Sequence, residues 1–183
     1  MRCFLLLPIL LLTACATAPV VVQRPVQADA PFAFNGRIAI KQGEKRDNAG
    51  VRWVHSAAED EILLLAPLGQ TMARIHRDAQ EATLEASGKR YTDHDMESLM
   101  QQVLGWQLPL AGLRYWVTAL PVPGDEFSID HDANGQVSAL SQQGWEIGYT
   151  RYAAETPDAL PLRLKLQRDG MEVLLLIDEW EAQ

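Results

Sequence analysis

Basic clusters, paired cysteines and membrane-length apolar runs are all missing from this 183-residue sequence. Its 16 Lys and Arg face 24 Asp and Glu, for a net charge of −8, and no run of cations stands out. That argues against nucleic acid as a partner, since phosphate binding needs clustered Lys and Arg, and it leaves no polybasic membrane patch. The four histidines, His55, His76, His94 and His131, lack ligand spacing, and neither H-E-x-x-H nor a paired-cysteine motif occurs. G-x-S-x-G, the P-loop and G-x-G-x-x-G are absent too, so the sequence predicts no metal, no cofactor and no enzyme. The close carboxylate pairs, Asp93 with Asp95 and Asp130 with Asp132, fall at a helix start and in a turn, where capping and turn roles account for them. What is present is globular: 48% hydrophobic residues, 22% charged and five Trp exclude a disordered, collagen-like or coiled-coil chain. The length suits one domain with short appendages.

The N-terminus sets the compartment. Met1-Arg2-Cys3 is a short basic lead, and Phe4 to Leu12 is an apolar run broken only by Pro8. A span needs about 20 apolar residues, so this run reads as the core of a signal peptide. Leu12-Thr13-Ala14-Cys15 follows directly and resembles the bacterial lipobox, in which cleavage leaves a diacylated cysteine as the mature N-terminus. An ordinary secretory signal ending near Ala16 or Ala18 would make Cys15 an accident. Residues 1–14 are therefore expected to be a lipoprotein signal peptide, with S-diacylglycerol and an N-acyl chain on Cys15. Cys3 leaves with the signal, so no intramolecular disulfide forms. Ala16 rather than Asp after the cysteine implies, by resemblance to enterobacterial lipoproteins, export to the outer membrane. Residues 15–30, with Pro19 and Pro25 and no packed-element signal, read as a tether that holds the domain 31–183 tens of ångströms from the bilayer.

Within that domain the pattern is mostly strand. Phe32, Phe34, Ile38 and Ile40 alternate, as do Val51, Trp53 and His55. Glu61–Ala66 is apolar on both faces, and Met72–Arg77 alternates again. Further strands are predicted at Phe127–Asp130, Gln136–Leu140, Trp145–Tyr149, Leu160–Leu166 and Val173–Ile177. Asn134-Gly135, Gln143-Gly144 and Asp169-Gly170 supply turns, and strands joined by such short turns are antiparallel. One meandering sheet of about ten strands, curling over its own apolar face, is the expected mainly β architecture.

A helical insertion at about 93–120 interrupts it. Thr92-Asp93-His94-Asp95 offers N-caps; Met96, Leu99, Met100, Val103 and Leu104 then share one helical face, and Gly105 stops the run. A second helix opens at Pro109, carries Leu110, Leu113, Trp116, Val117 and Leu120 on one side, and ends at Pro121. Arg114-Tyr115 reads as its polar face. The economical place for both apolar faces is across the mouth of the curved sheet. Such a sheet either packs solid or encloses a cavity, and Leu63-Leu64-Leu65 with Leu174-Leu175-Leu176-Ile177 suggests an apolar excess; the two outcomes stay open at this level. Trp53, Leu64, Ile75, Leu99, Val103, Leu113, Trp116 and Val117 are the candidates to line a cavity, or else plain core. Pro67-Leu68-Gly69-Gln70 fixes a turn whose one large side chain is Leu68, which either tucks into the core or projects as an apolar finger. Arg37 reads as a solvated strand arginine, with the lid or a phospholipid headgroup as the other possible contact.

The ordered set Phe34-x-Gly36-Arg37-Ile38-Ala39, Trp53, Leu65-Ala66-Pro67-Leu68-Gly69-Gln70-Thr71, Leu104-Gly105-x-x-Leu108-Pro109-Leu110-x-x-Leu113-x-x-Trp116 and Ala119-Leu120-Pro121 resembles the LolB family of outer-membrane lipoprotein receptors, within the LolA/LolB carrier superfamily. The resemblance implies an incomplete, half-open antiparallel β-barrel of ten or eleven strands with a helical lid over an apolar cavity. It implies a monomeric protein anchored in the outer membrane and facing the periplasm. That protein would take lipoprotein acyl chains from a LolA-like carrier and place them among outer-membrane phospholipid. Pro67, Leu68 and Gly69 fall on the family's membrane-insertion loop. The other reading of the residues is an outer-membrane lipoprotein that scaffolds envelope assembly, with a packed interior. Asp78–Lys89 is polar and carries no family hallmark.

Overall fold

A computed structural model describes residue 24 and residues 30–182; the expected signal peptide, Cys15 and most of the expected tether lie outside the described residues. Eleven strands form one antiparallel sheet: β1 (Phe32–Gln42), β2 (Lys45–His55), β3 (Asp60–Leu65), β4 (Thr71–Arg77), β5 (Ala82–Ala86), β6 (Lys89–Asp93), β7 (Phe127–His131), β8 (Val137–Gln142), β9 (Trp145–Tyr152), β10 (Pro161–Arg168) and β11 (Met171–Glu181). Their order is β6-β5-β4-β3-β2-β1-β11-β10-β9-β8-β7. The chain thus starts mid-sheet, steps out to one edge at β6, crosses to the far edge at β7, and steps back until β11 pairs with β1. Helices α1 (Met96–Val103) and α2 (Leu110–Trp116) make the crossing. The edges do not meet, so the barrel stays open and the helices cover its inner face.

Alternation decides what faces in. Along β1, Phe34, Ile38 and Ile40 are buried while Arg37 is exposed and Ala39 half-buried, as a period of two requires. Outward positions line up across the middle strands in three rungs. Leu65, Gly50, Arg37, Leu176 and Arg163 form the first; Asn48, Ala39, Leu174 and Lys165 the second; Arg46, Lys41, Glu172 and Gln167 the third. At Asn35/Gly36 the β1–β11 register shifts. A Cβ on Gly36 would lie 2.3 Å from the Leu176 carbonyl oxygen, so this bulge requires glycine.

The two ends of the sheet differ. One holds the start of β1, the end of β11 and the His55–Asp60 turn; there the Arg24 backbone N–H donates to the Asp158 carbonyl at 3.1 Å. The other holds the β1–β2 and β10–β11 hairpins and the Leu68 loop.

The polar stretch read without hallmarks contains part of a hairpin, β5–β6, turning at Ser87-Gly88 with both residues at positive φ. The helix caps also sharpen. Asp95 is the N-cap of α1, accepting from the Glu97 N–H, while Asp132 accepts from the N–H groups of Asn134 and Gln136 in its turn. The second helix is shorter than its apolar pattern predicts. Ala119 adopts φ +58°, its N–H reaches the Trp116 carbonyl and the Leu120 N–H the Tyr115 carbonyl, a Schellman ending that stops α2 before Leu120.

Candidate functional site

The site is built at the junction of lid and sheet. Between them lies an apolar interior lined by Phe34, Ile38, Val51, Trp53, Ile62, Leu64, Ile75, Met100, Trp106, Leu108, Leu110, Leu113, Val173 and Leu175, with a free volume of about 20 Å³. A pocket that holds a small ligand is typically ~300–1,000 Å³, so the lining side chains fill the space themselves in this closed state. Beside it, Ile38, Ile40, Asn48, Leu64, Met72, Ala73, Val103, Leu104 and Trp106 border an open vestibule of about 340 Å³. Ile38, Leu64 and Trp106 line both, which puts these three side chains, the Trp106 indole the largest, at the boundary between the open space and the closed one.

Of the eight cavity candidates, Trp53, Leu64, Ile75 and Leu113 line the interior, and Val103 lines the vestibule. Leu99, Trp116 and Val117 line neither; all three are buried in the core. Trp116 instead anchors the lid: its Nε1–H donates to Gln142 Oε1 at 3.0 Å. The same Gln142 side chain accepts from the Val122 N–H at 2.8 Å and donates to the Val122 carbonyl at 2.9 Å. Tyr149 donates its hydroxyl to the Trp116 carbonyl at 2.8 Å, and burial pushes that phenol well above its ordinary range. Tyr115 is buried rather than on a polar face, with Arg114 stacked over its ring and donating to its hydroxyl; the short helix has neighbours on this side too. The interior residues that periodicity did not single out, Trp106 and Leu108 above all, sit in the connection after Gly105. A tryptophan in a linker of so few residues was the available signal.

The far end of the interior is plugged. Phe32 packs edge-on to Trp53 and Trp180, each 5.3 to 6.0 Å between ring centres. Below them Asp60 accepts from Trp53 Nε1–H at 2.9 Å, pairs with His55 Nδ1 at 2.6 Å and takes a salt bridge from Arg77. Burial would raise the Asp60 carboxyl, but the hydrogen bonds from His55, Arg77 and Trp53 outweigh it and hold it below the usual carboxylate range. This cluster fixes the Trp53 indole that faces the interior.

At the open end, the Leu68 loop is a tight turn. The Gly69 N–H donates to the Ala66 carbonyl at 2.8 Å and the Ala66 N–H to the Gln70 carbonyl at 2.8 Å. Pro67 presets φ for its position and Gly69 takes φ +80°. The turn closes through its own backbone bonds and carries Leu68 at its tip, 86% exposed. Arg37, also exposed, grips Asp178 through Nε at 3.0 Å and an Nη at 2.6 Å. Among the described residues no group of His, Cys, Asp and Glu is arranged to hold a metal ion, and no helix is long and apolar enough to cross a membrane.

Two solved structures share the architecture. A DUF1329-family protein from Desulfovibrio piger matches with a TM-score of 0.56 and 6% identity, covering 86% of this chain and 88% of its own. A LolA-superfamily protein from Nitrosomonas europaea matches with a TM-score of 0.50 and 8% identity, over 87% and 89%. At such identities the likeness speaks for the fold alone. Sequence carries further: the chain is 39% identical to an outer-membrane lipoprotein LolB of Chromobacterium violaceum over 98% of both chains. It is 37% identical to the Nitrosomonas europaea LolB over 96% of this chain and 90% of that one. The family model of the outer membrane lipoprotein LolB matches residues 30–180, the stretch that carries the open barrel, its lid and the projecting leucine. The chain therefore belongs to the LolB family of outer-membrane lipoproteins.

Proposed function

We propose that this chain, anchored through Cys15, accepts the acyl chains of lipoproteins from a LolA-type carrier and inserts them into the inner leaflet of the outer membrane. In this reading the interior beneath the lid is the receiving cavity and Leu68 is the finger that enters the bilayer. An acyl chain exposed to water forfeits about 0.8 kcal/mol per methylene, so a chain of a dozen methylenes costs on the order of 10 kcal/mol. Transfer therefore has to pass from one apolar container to the next, and no covalent step or nucleotide is needed if each container is slightly better than the last. Trp53, Leu64, Ile75 and Leu113 offer such a container once the lid parts from the sheet, and the vestibule behind Trp106 offers its entrance.

The observation that carries the reading is the 86% exposure of Leu68. Leaving one leucine in water forgoes roughly 1.5–3 kcal/mol, a cost with no return inside the fold. The test compares the domain without residues 1–15 with its Leu68→Glu variant, each given lipoprotein-loaded carrier and liposomes. Wild type is expected to accept cargo and deliver it, and the variant to accept without delivering. Failure of both to accept cargo would end the receptor reading. The closed interior also suits a scaffold lipoprotein with a packed core, the reading that mass spectrometry separates: acyl lipid extracted from the purified domain supports reception, and its absence after incubation with loaded carrier supports the scaffold.

A further inference from the structure

The outer face of the sheet carries a second apolar feature, away from the lid. Gly50 and Ala39 occupy outward positions in the central strands, flanked by Leu65 on β3 and by Leu174 and Leu176 on β11. Small residues between large ones leave a trough of about 510 Å³, and Pro67 and Gly69 of the projecting loop close one side of it. The leucines on its walls are only half-buried.

Cations that are dispersed along the sequence meet here. The three central rungs bring together Arg37, Lys41, Arg46, Arg163 and Lys165. Against them stand Glu172, bridged to Lys165 at 2.7 Å, and Asp178, bridged to Arg37. Lys165 first, and Lys41 and Arg46 more weakly, hold the Glu172 carboxyl below its ordinary range. Five positive groups against two negative ones leave a local excess of cations on these central rungs in a chain whose total is −8. Around these rungs the pairs Arg52 with Glu181 and Arg74 with Glu61 are neutral, while the exposed Glu146 and Arg151 of β9 and Glu179 beside Asn35 add two negative groups and one positive. β3 ends opposite Gly50, so the loop runs on beside the rungs that hold Lys41 and Arg46.

We propose that this outer face is a docking surface for a bilayer containing anionic phospholipid. The trough lies against the acyl boundary next to the inserted loop, and the cations meet headgroup phosphates. The proposal rests on the reading of Leu68 as a residue that enters the bilayer. Charge complementarity and continuity with that loop both select lipid over the carrier as the occupant: the partner must be anionic and apolar at once, and it must already be at Pro67 and Gly69.

Full-length acylated protein is placed in vesicles of phosphatidylcholine alone or with phosphatidylglycerol. One polarity-sensitive dye is attached at Leu174→Cys, at Arg163→Cys or at Leu68→Cys; Cys15 is the one other mature cysteine and its sulfur is expected to carry lipid. Dyes at 163 and 174 are expected to shift to the blue, and to be quenched by spin-labelled lipid, only with phosphatidylglycerol present. The combined Lys41→Glu, Arg46→Glu variant should reduce that response by about tenfold or more while leaving the Leu68 signal in place. If the 163 and 174 dyes stay aqueous in both vesicles while 68 enters, the docking face is wrong and the finger stands. If 68 stays aqueous, the finger reading fails as well. A blue shift at 174 produced by a LolA-type carrier without vesicles would assign the trough to that protein and overturn the proposal.

Discussion

Single side chains divide cleanly here between those that hold the fold and those that do not. Leu68 belongs to the second group: its loop closes through backbone bonds, so Leu68→Glu should leave stability within about 0.5 kcal/mol of wild type in a urea titration while abolishing delivery. Asp60 belongs to the first. Removing it leaves Arg77, His55 and the Trp53 N–H without their shared acceptor, so Asp60→Ala should cost about 3 kcal/mol. Its pH dependence has a definite sign. The folded carboxyl lies below its ordinary value of 3.8, so the stability it contributes is complete above that value and is lost as pH falls through the folded one. Urea titrations at pH 7 and pH 3 should show the gap between wild type and Asp60→Ala shrinking in acid; a constant gap would mean the carboxylate charge is irrelevant.

Among the elements, the lid is held unevenly. α2 is clamped through Gln142 and Tyr149. α1 is capped by Asp95 and held by burial of Met96, Leu99 and Met100, and the end of its segment adds a bond of 3.4 Å from Lys45 Nζ to the Leu104 carbonyl. Gln142→Leu strips partners from the buried Trp116 N–H and from Val122, and should lower stability by about 2 kcal/mol in chemical denaturation. Gly105, at φ +82° between the two helices, should tolerate Ala at a cost of about 1 kcal/mol. How much of this was legible varied with burial. Strands with one buried face, such as Phe32–Gln42, announced themselves through alternation; β6 did not, because Lys89, Arg90, Thr92 and Asp93 are exposed at a sheet edge where no apolar period is imposed. The Leu68 turn was legible through Pro67 and Gly69, although whether the leucine faced in or out was not. The excess of cations on the central rungs was invisible in sequence, since residues 37, 41, 46, 163 and 165 become neighbours only when β11 pairs with β1. Trp116 stayed open between cavity lining and plain core, because helical periodicity identifies a buried face without saying whether it meets a space or a hydrogen-bonding Gln142.

For the whole molecule, the closed interior and the open vestibule meet at three shared side chains, Ile38, Leu64 and Trp106, the last the bulkiest. Trp106→Ala should join them, raising the fluorescence of an apolar dye bound to the resting protein, at a stability cost of about 3–5 kcal/mol; unchanged dye binding would place the gate elsewhere. The chain's own route adds a geometric condition. Arg24 rests on Asp158 at the end of the sheet opposite the Leu68 loop. The nine peptide units from Cys15 to Arg24 reach at most ~30 Å; β3 ends at Leu65, level with Arg37, so Leu68 lies up to about eight residues, ~27 Å, from the Phe32 level. A domain standing upright with its leucine down would draw that leash almost straight. While Arg24 keeps its hold, an anchor at Cys15 as proposed would leave the barrel almost no slack when upright, so its posture would depend on leash length as much as on any side chain.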